Sequence, residues 1–99
     1  MEVKVSARFD SWIKRNPTAA FAIKKRIDQI VLNGRLLGDY KSVGGGVLEL
    51  RFHRGPGYRV YLSLQGDELL LLLAAGTKST QRRDVAVAKR LLKEWRGGK

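Results

Sequence analysis

The chain carries a single histidine, His53, set between Arg51 and Arg54. Histidine is the side chain whose ordinary pKa lies near neutrality, so His53 is the natural candidate for moving a proton. Guanidinium neighbours disfavour its protonated form, which suits a base; a histidine at the end of a half-exposed strand is equally able to stand idle. Farther on, Arg59 and Tyr61 lie two residues apart, and Lys78 lies two residues past Gly76. Arg82, Arg83 and Asp84 then follow in one run. An arginine fork can hold two phosphate oxygens at once. A tyrosine can stack on a base or donate a proton. There is no cysteine, which excludes disulfide scaffolds and thiolate metal sites. One histidine and scattered carboxylates provide no metal-ligand cluster, so no metal and no cofactor is expected.

The rest of the composition favours an anionic partner. Lys and Arg number 20 against 9 Asp and Glu in 99 residues, a formal net charge of +11. Hydrophobic residues make up 43%, enough to bury a core, and the length fits one domain over residues 1–99. The longest uncharged run, Leu69–Thr77, is too short to span a bilayer, and the first residues lack the apolar core of a signal peptide. No helix pairs a wide apolar face with a basic one, which argues against a membrane surface. A cytoplasmic domain that meets a polyanion is the expectation.

These residues need elements to position them. Glu2–Ser6 alternates as a short strand. Phe9, Trp12 and Ile13 predict a first helix, which Asn16-Pro17 ends while starting a second, with Asn16 as its cap. Ala20, Ile23, Ile27, Ile30 and Val31 form its apolar stripe, and Lys24, Lys25, Arg26, Asp28 and Gln29 face water. Asn33-Gly34 closes it. Leu48–Arg54 alternates, with Glu49, Arg51 and His53 on the polar face. After the Gly55-Pro56-Gly57 turn, Tyr58, Val60, Leu62 and Leu64 share one face, and Arg59, Tyr61 and Ser63 the other. Gly66-Asp67 makes a hairpin loop, and Leu69–Ala75 reads as a central strand buried on both sides. Val85, Ala88, Leu92 and Trp95 stripe a last helix, stopped by Gly97-Gly98 before a fraying tail. The order is β-α-α-β-β-β-α, an α+β fold with its helices on the apolar surface of a mainly antiparallel sheet. Its other face would be solvated and cationic.

Three pieces then resemble a known family. Val43-Gly-Gly-Gly-Val-Leu-Glu-Leu-Arg51, Gly57-Tyr-Arg-Val-Tyr61, and Gly76-Thr-Lys78 leading to Gln81-Arg-Arg-Asp-Val-Ala86 are similar to the RelE/ParE superfamily of bacterial toxins, nearest its HigB-like branch of addiction-module killer proteins. The resemblance implies a RelE-like fold and the toxin of a type II toxin–antitoxin pair. RelE and HigB proteins are ribosome-dependent, metal-independent mRNA endonucleases. In them the ribose 2′-hydroxyl attacks the adjacent phosphate, leaving a cyclic phosphate and a 5′-hydroxyl. ParE proteins share the fold and poison DNA gyrase without nuclease chemistry, and fold alone does not separate the branches. The implied partners are the ribosome, its mRNA and a cognate helix-turn-helix antitoxin.

Residue by residue, Arg59 matches the sheet arginine that holds the scissile phosphate, the alternative being an ion pair with Glu49. Lys78 stands where the family places a second catalytic cation, or is a solvated loop lysine. Arg51 and Arg54 suit gripping the RNA backbone. Arg82 and Arg83, against the dipole in the first turn of the last helix, would join its free amides in a phosphate site. The family often carries a Tyr or His on this helix for proton transfer; here neither occurs, and Asp84 takes about that place, as a base or as an orienting partner for Lys78 or His53. Arg59→Ala and Lys78→Ala are expected to abolish activity with the fold intact. A binding module without catalysis is the remaining alternative, marked by salt-steep RNA binding and no toxicity.

Overall fold

The first helix is started by one hydroxyl. In the computed structural model, which describes residues 1–97, Ser6 Oγ accepts the Phe9 amide at 3.0 Å and donates to the Leu73 carbonyl at 2.6 Å. It thereby caps α1 (Ala7–Arg15) and ties it to the sheet. Helix α2 (Pro17–Asn33) begins at the expected proline and ends at a left-handed Gly34. Asn16 does not cap α2 with its side chain; its Nδ2 donates 2.8 Å to the Trp12 carbonyl and closes α1 instead. The buried stripe of α2 is Ala19, Ile23, Ile27 and Ile30, with Ala20 only half-buried. Arg26, expected in water, lies with its guanidinium 4.3 Å from the centre of the Phe52 ring, where cation–π attraction replaces hydration.

Five strands form one mixed sheet in the order β1-β5-β4-β3-β2: β1 (Glu2–Val5), β2 (Asp39–Gly44), β3 (Val47–Phe52), β4 (Tyr58–Gln65) and β5 (Leu69–Thr77). β1 runs parallel to β5 and every other pair is antiparallel. A 3-10 turn, Lys78–Thr80, leads into α3 (Gln81–Gly97). Gly98, the second residue of the expected stop, and the tail beyond it lie outside the described residues. The α+β class holds, with one strand more than expected. β2 is an edge strand of mostly exposed residues without apolar alternation, so only its pairing with β3 reveals it. The β2–β3 turn is carried by Gly44, Gly45 and Gly46, all at positive φ, where side chains would be strained.

Helices cover both faces of the sheet. On one, Phe9 of α1 and the α2 stripe pack on Leu50, Phe52, Val60, Leu62, Leu70 and Leu72. On the other, Ala88 and Leu92 of α3 pack on Val47, Tyr61, Leu71, Leu73 and Ala74. This corrects the expectation of a solvated polar face. The α3 stripe finds its apolar complement in Val47 and in the outward-facing residues of β5, and the polar centre of β3 and β4 is buried beneath it. A bulge between β4 and β5 contributes to this. Tyr61 pairs with Ala74 but Leu62 with Leu72, so Leu73 is the extra residue, and it packs on the α3 side beside Ala74.

Candidate active site

Gly55-Pro56-Gly57 folds back on itself, the Gly57 amide donating 2.9 Å to the Arg54 carbonyl, and packs against the start of the 3-10 turn. Gly57 separates two cations there. A methyl group on it would sit 3.1 Å from Arg59 Nη1 and 3.3 Å from Lys78 Cβ, so its bare backbone is what lets these side chains approach one another. Around them opens a cleft of about 570 Å³ lined by Arg51, His53, Arg54, Arg59 and Lys78. The size is that of a small-molecule or nucleotide site. Five of the nine residues marked in the sequence are thus brought together.

Arg59 is largely buried. Its Nη1 donates to the Gly57 carbonyl at 2.9 Å, and its Nε lies 3.7 Å from Glu49 Oε2. Arg59 therefore lines the cleft and also faces Glu49, its expected ion-pair partner. Glu49 is fully buried and accepts a 2.6 Å hydrogen bond from Gln81 Nε2, which links β3 to the first residue of α3. Lys78 and Arg54 are exposed and make no ion pair among the described residues.

His53 has a partner that the sequence reading missed. Asp39, at the start of β2, accepts from Arg51 Nη2 at 2.8 Å through Oδ1 and meets His53 Nε2 at 2.7 Å through Oδ2. The ring therefore meets a carboxylate rather than bare guanidinium. The hydrogen bonds of Arg51 first, then of His53, hold the Asp39 carboxyl below the usual carboxylate range. With Nε2 turned to Asp39, Nδ1 is the ring nitrogen left for a substrate proton. Nothing near Asp39 in the chain signals this role; only the register that sets Asp39 opposite Arg51 creates it.

The other marked residues lie elsewhere. Tyr61 is completely buried under α3 and cannot stack on a base. Burial, then the Glu49 carboxylate, pushes its phenol above the ordinary range, so it is a poor proton donor as well as an inaccessible one. Asp84 is 2% exposed; its Oδ2 accepts 2.6 Å from the Thr80 hydroxyl and its Oδ1 lies 3.7 Å from Arg83 Nε. It thus orients neither Lys78 nor His53. Arg82 and Arg83 do occupy the first turn of α3, and the 3-10 turn takes up the amides just ahead of them. The Gln81 amide bonds to the Lys78 carbonyl, and Thr77 and Thr80 cap each other. Arg83 lines a separate groove with Arg8 and Arg15.

Among the described residues no group of three or more His, Asp or Glu side chains is arranged to hold a metal ion, and no helix is long and apolar enough to cross a membrane. No family model matches the chain. Over 96 residues it is 42% identical to an uncharacterized protein of Haemophilus influenzae, which covers 95% of this chain and 95% of that protein.

Proposed function

The chain belongs to the family of that Haemophilus influenzae protein, and we propose that it is the toxin of a type II toxin–antitoxin pair, a metal-independent mRNA endonuclease that acts on the ribosome and arrests translation. The supporting observation is the convergence of Arg51, Arg54, Arg59 and Lys78 with the one histidine on a single cleft. The RelE/ParE resemblance, nearest the HigB-like branch, supplies the reaction. An opening strand, a helical pair, an antiparallel run of strands and a last helix also support a RelE-like topology.

In the proposed step the ribose O2′ bonds to phosphorus as the bond to O5′ breaks. His53 Nδ1 takes the 2′ proton while Asp39 holds the ring, and O5′ leaves with a proton from water. Arg59 and Lys78 face the phosphate from the two sides of Gly57 and offset the charge that grows on its oxygens. Arg51 and Arg54 grip the flanking backbone. Tyr61 and Asp84 are buried and neither serves the leaving oxygen as an acid, and a positioned acid is worth roughly 10²–10⁴ in rate. A slow enzyme follows. The cytoplasm is its proposed location, and a helix-turn-helix antitoxin, encoded beside it, its proposed partner.

The direct test is cleavage of translated mRNA by the purified protein. Lys78→Ala, at an exposed position, is expected to keep the thermal melt and lose cleavage and growth arrest. Full toxicity and normal cleavage by this variant would overturn the assignment. The withdrawal of Tyr61 and Asp84 favours one second reading, a ParE-like inhibitor of gyrase without nuclease chemistry. Inhibition of DNA supercoiling, with mRNA intact, would select it.

A further inference from the structure

Apart from the cleft, the molecule has a groove with cationic walls drawn from two helices. Arg8 and Arg15 of α1 and Arg83 of α3 line it, with Ser11 and Trp12 between them and Asp84 in its floor. Their charges are poorly compensated among the described residues, where Arg8 makes no ion pair or side-chain hydrogen bond, Arg15 donates only to the Ser11 hydroxyl, and Arg83 has only Asp84 at 3.7 Å. That carboxylate is itself held by Thr80.

Arg8 and Arg83 also stand in the first turns of α1 and α3, where the helix dipole disfavours a cation. Three like charges share one groove, two of them at helix ends that disfavour a cation. An anion from outside would satisfy both the side chains and the arrangement. The groove is also close to the cleft. Trp12, on its wall, packs edge-on to Tyr58 with ring centres 6.1 Å apart, and Tyr58 pairs with Thr77, the residue before Lys78. One aromatic pair and one turn thus separate the two cationic surfaces.

We propose that the Arg8–Arg15–Arg83 groove is a second binding site for the phosphodiester backbone of single-stranded RNA. It holds the part of the strand that continues beyond the scissile bond in the cleft. This rests on the reading of the cleft as an RNA site, and adds Arg8, Arg15 and the face of α1 to the contact surface. Phosphates meet the three guanidiniums, and the half-buried Trp12 in the groove wall offers an apolar surface to a base.

The test is fluorescence anisotropy with two labelled oligoribonucleotides, a trinucleotide that fills only the cleft and a strand of roughly a dozen nucleotides that reaches both sites. Arg8→Gln/Arg15→Gln is compared with Lys24→Gln/Lys25→Gln, which removes the same charge from the outer face of α2. The groove variant is expected to lower the salt slope of binding to the long strand by about 1.4, at roughly 0.7 per phosphate contact. It should leave the trinucleotide affinity unchanged, and the α2 control should leave the long-strand slope near the wild-type value. An equal drop in both double variants would mean that net charge alone is read, and would overturn the groove. So would an unchanged slope in the groove variant. Failure of the cleft reading looks different: Lys78→Ala would then leave trinucleotide binding untouched, whatever the arginines do.

Discussion

Arg59 shows how one side chain is given two tasks by its place in a strand. It reaches the cleft, and it lies against a carboxylate that has no exposure to water. Arg59→Ala would leave Glu49 buried with Gln81 as its remaining donor. The expected loss is on the order of 3 kcal/mol, a large share of the stability of a domain this size. The expectation of an intact fold in this variant is thereby corrected. Arg59→Lys, which keeps the charge and loses the fork, is the better probe, expected to melt near wild type and to cleave poorly; urea unfolding beside the cleavage assay separates the two effects. Asp39 gives a second prediction. Its carboxyl binds a proton less readily folded than unfolded, so its pairing adds stability above about pH 4, the ordinary carboxylate value. That stability is lost as the pH falls through the lower folded value. Asp39→Asn should flatten the acid limb of the pH–stability curve; an unchanged limb would show the pairing to be inert. Arg51, His53, Arg54, Arg59 and Lys78 were legible because charge type and strand phase are written in the chain. Asp39 was not, because its meaning comes from a neighbour twelve positions later in sequence and 2.8 Å away in space.

At the level of elements, strand phase was read well and layer assignment was not. Tyr58, Val60, Leu62 and Leu64 point to the helical pair as their alternation says. The stripe of α3 announced a buried face without naming the sheet face it would cover, and Glu49, Tyr61 and Ser63 looked like a solvated row until α3 lay over them. Partial satisfaction is what makes that burial tolerable, through Gln81 on Glu49 and Arg59 nearby. The junction of β5, the 3-10 turn and α3 leaves no room for a side chain at Gly76. A methyl group on Gly76 would fall 1.8 Å from Asp84 Oδ2 and 2.5 Å from Thr80 Oγ1. Gly76→Ala therefore must displace a buried carboxylate from its hydroxyl partner, at an expected cost of roughly 1–3 kcal/mol or more. Chemical denaturation measures it, and a variant as stable as wild type would mean that the joint gives way freely. Lys78 is carried on this joint, so the same substitution should weaken the cleft.

Across the whole molecule the charge of +11 divides by element. The cleft takes cations from β3, β4, the loop between them and the 3-10 turn, whereas the groove takes them from α1 and α3. Neither grouping follows from local sequence, since Arg8 and Arg83 are neighbours only after folding. The same long-range closure governs β1, whose residues Glu2–Val5 pair with Leu69–Leu72. Hairpins β2–β3, β3–β4 and β4–β5 close short loops, but β1 must wait for a partner near the far end of the chain, and long loops cost time before they return free energy. Val3→Ala should therefore hasten unfolding and scarcely slow folding, a φ-value of about 0–0.3 in stopped-flow chevrons, and a value near 1 would reverse that order. During synthesis, likewise, the opening strand would leave the ribosome early and dock late, once β5 has followed it.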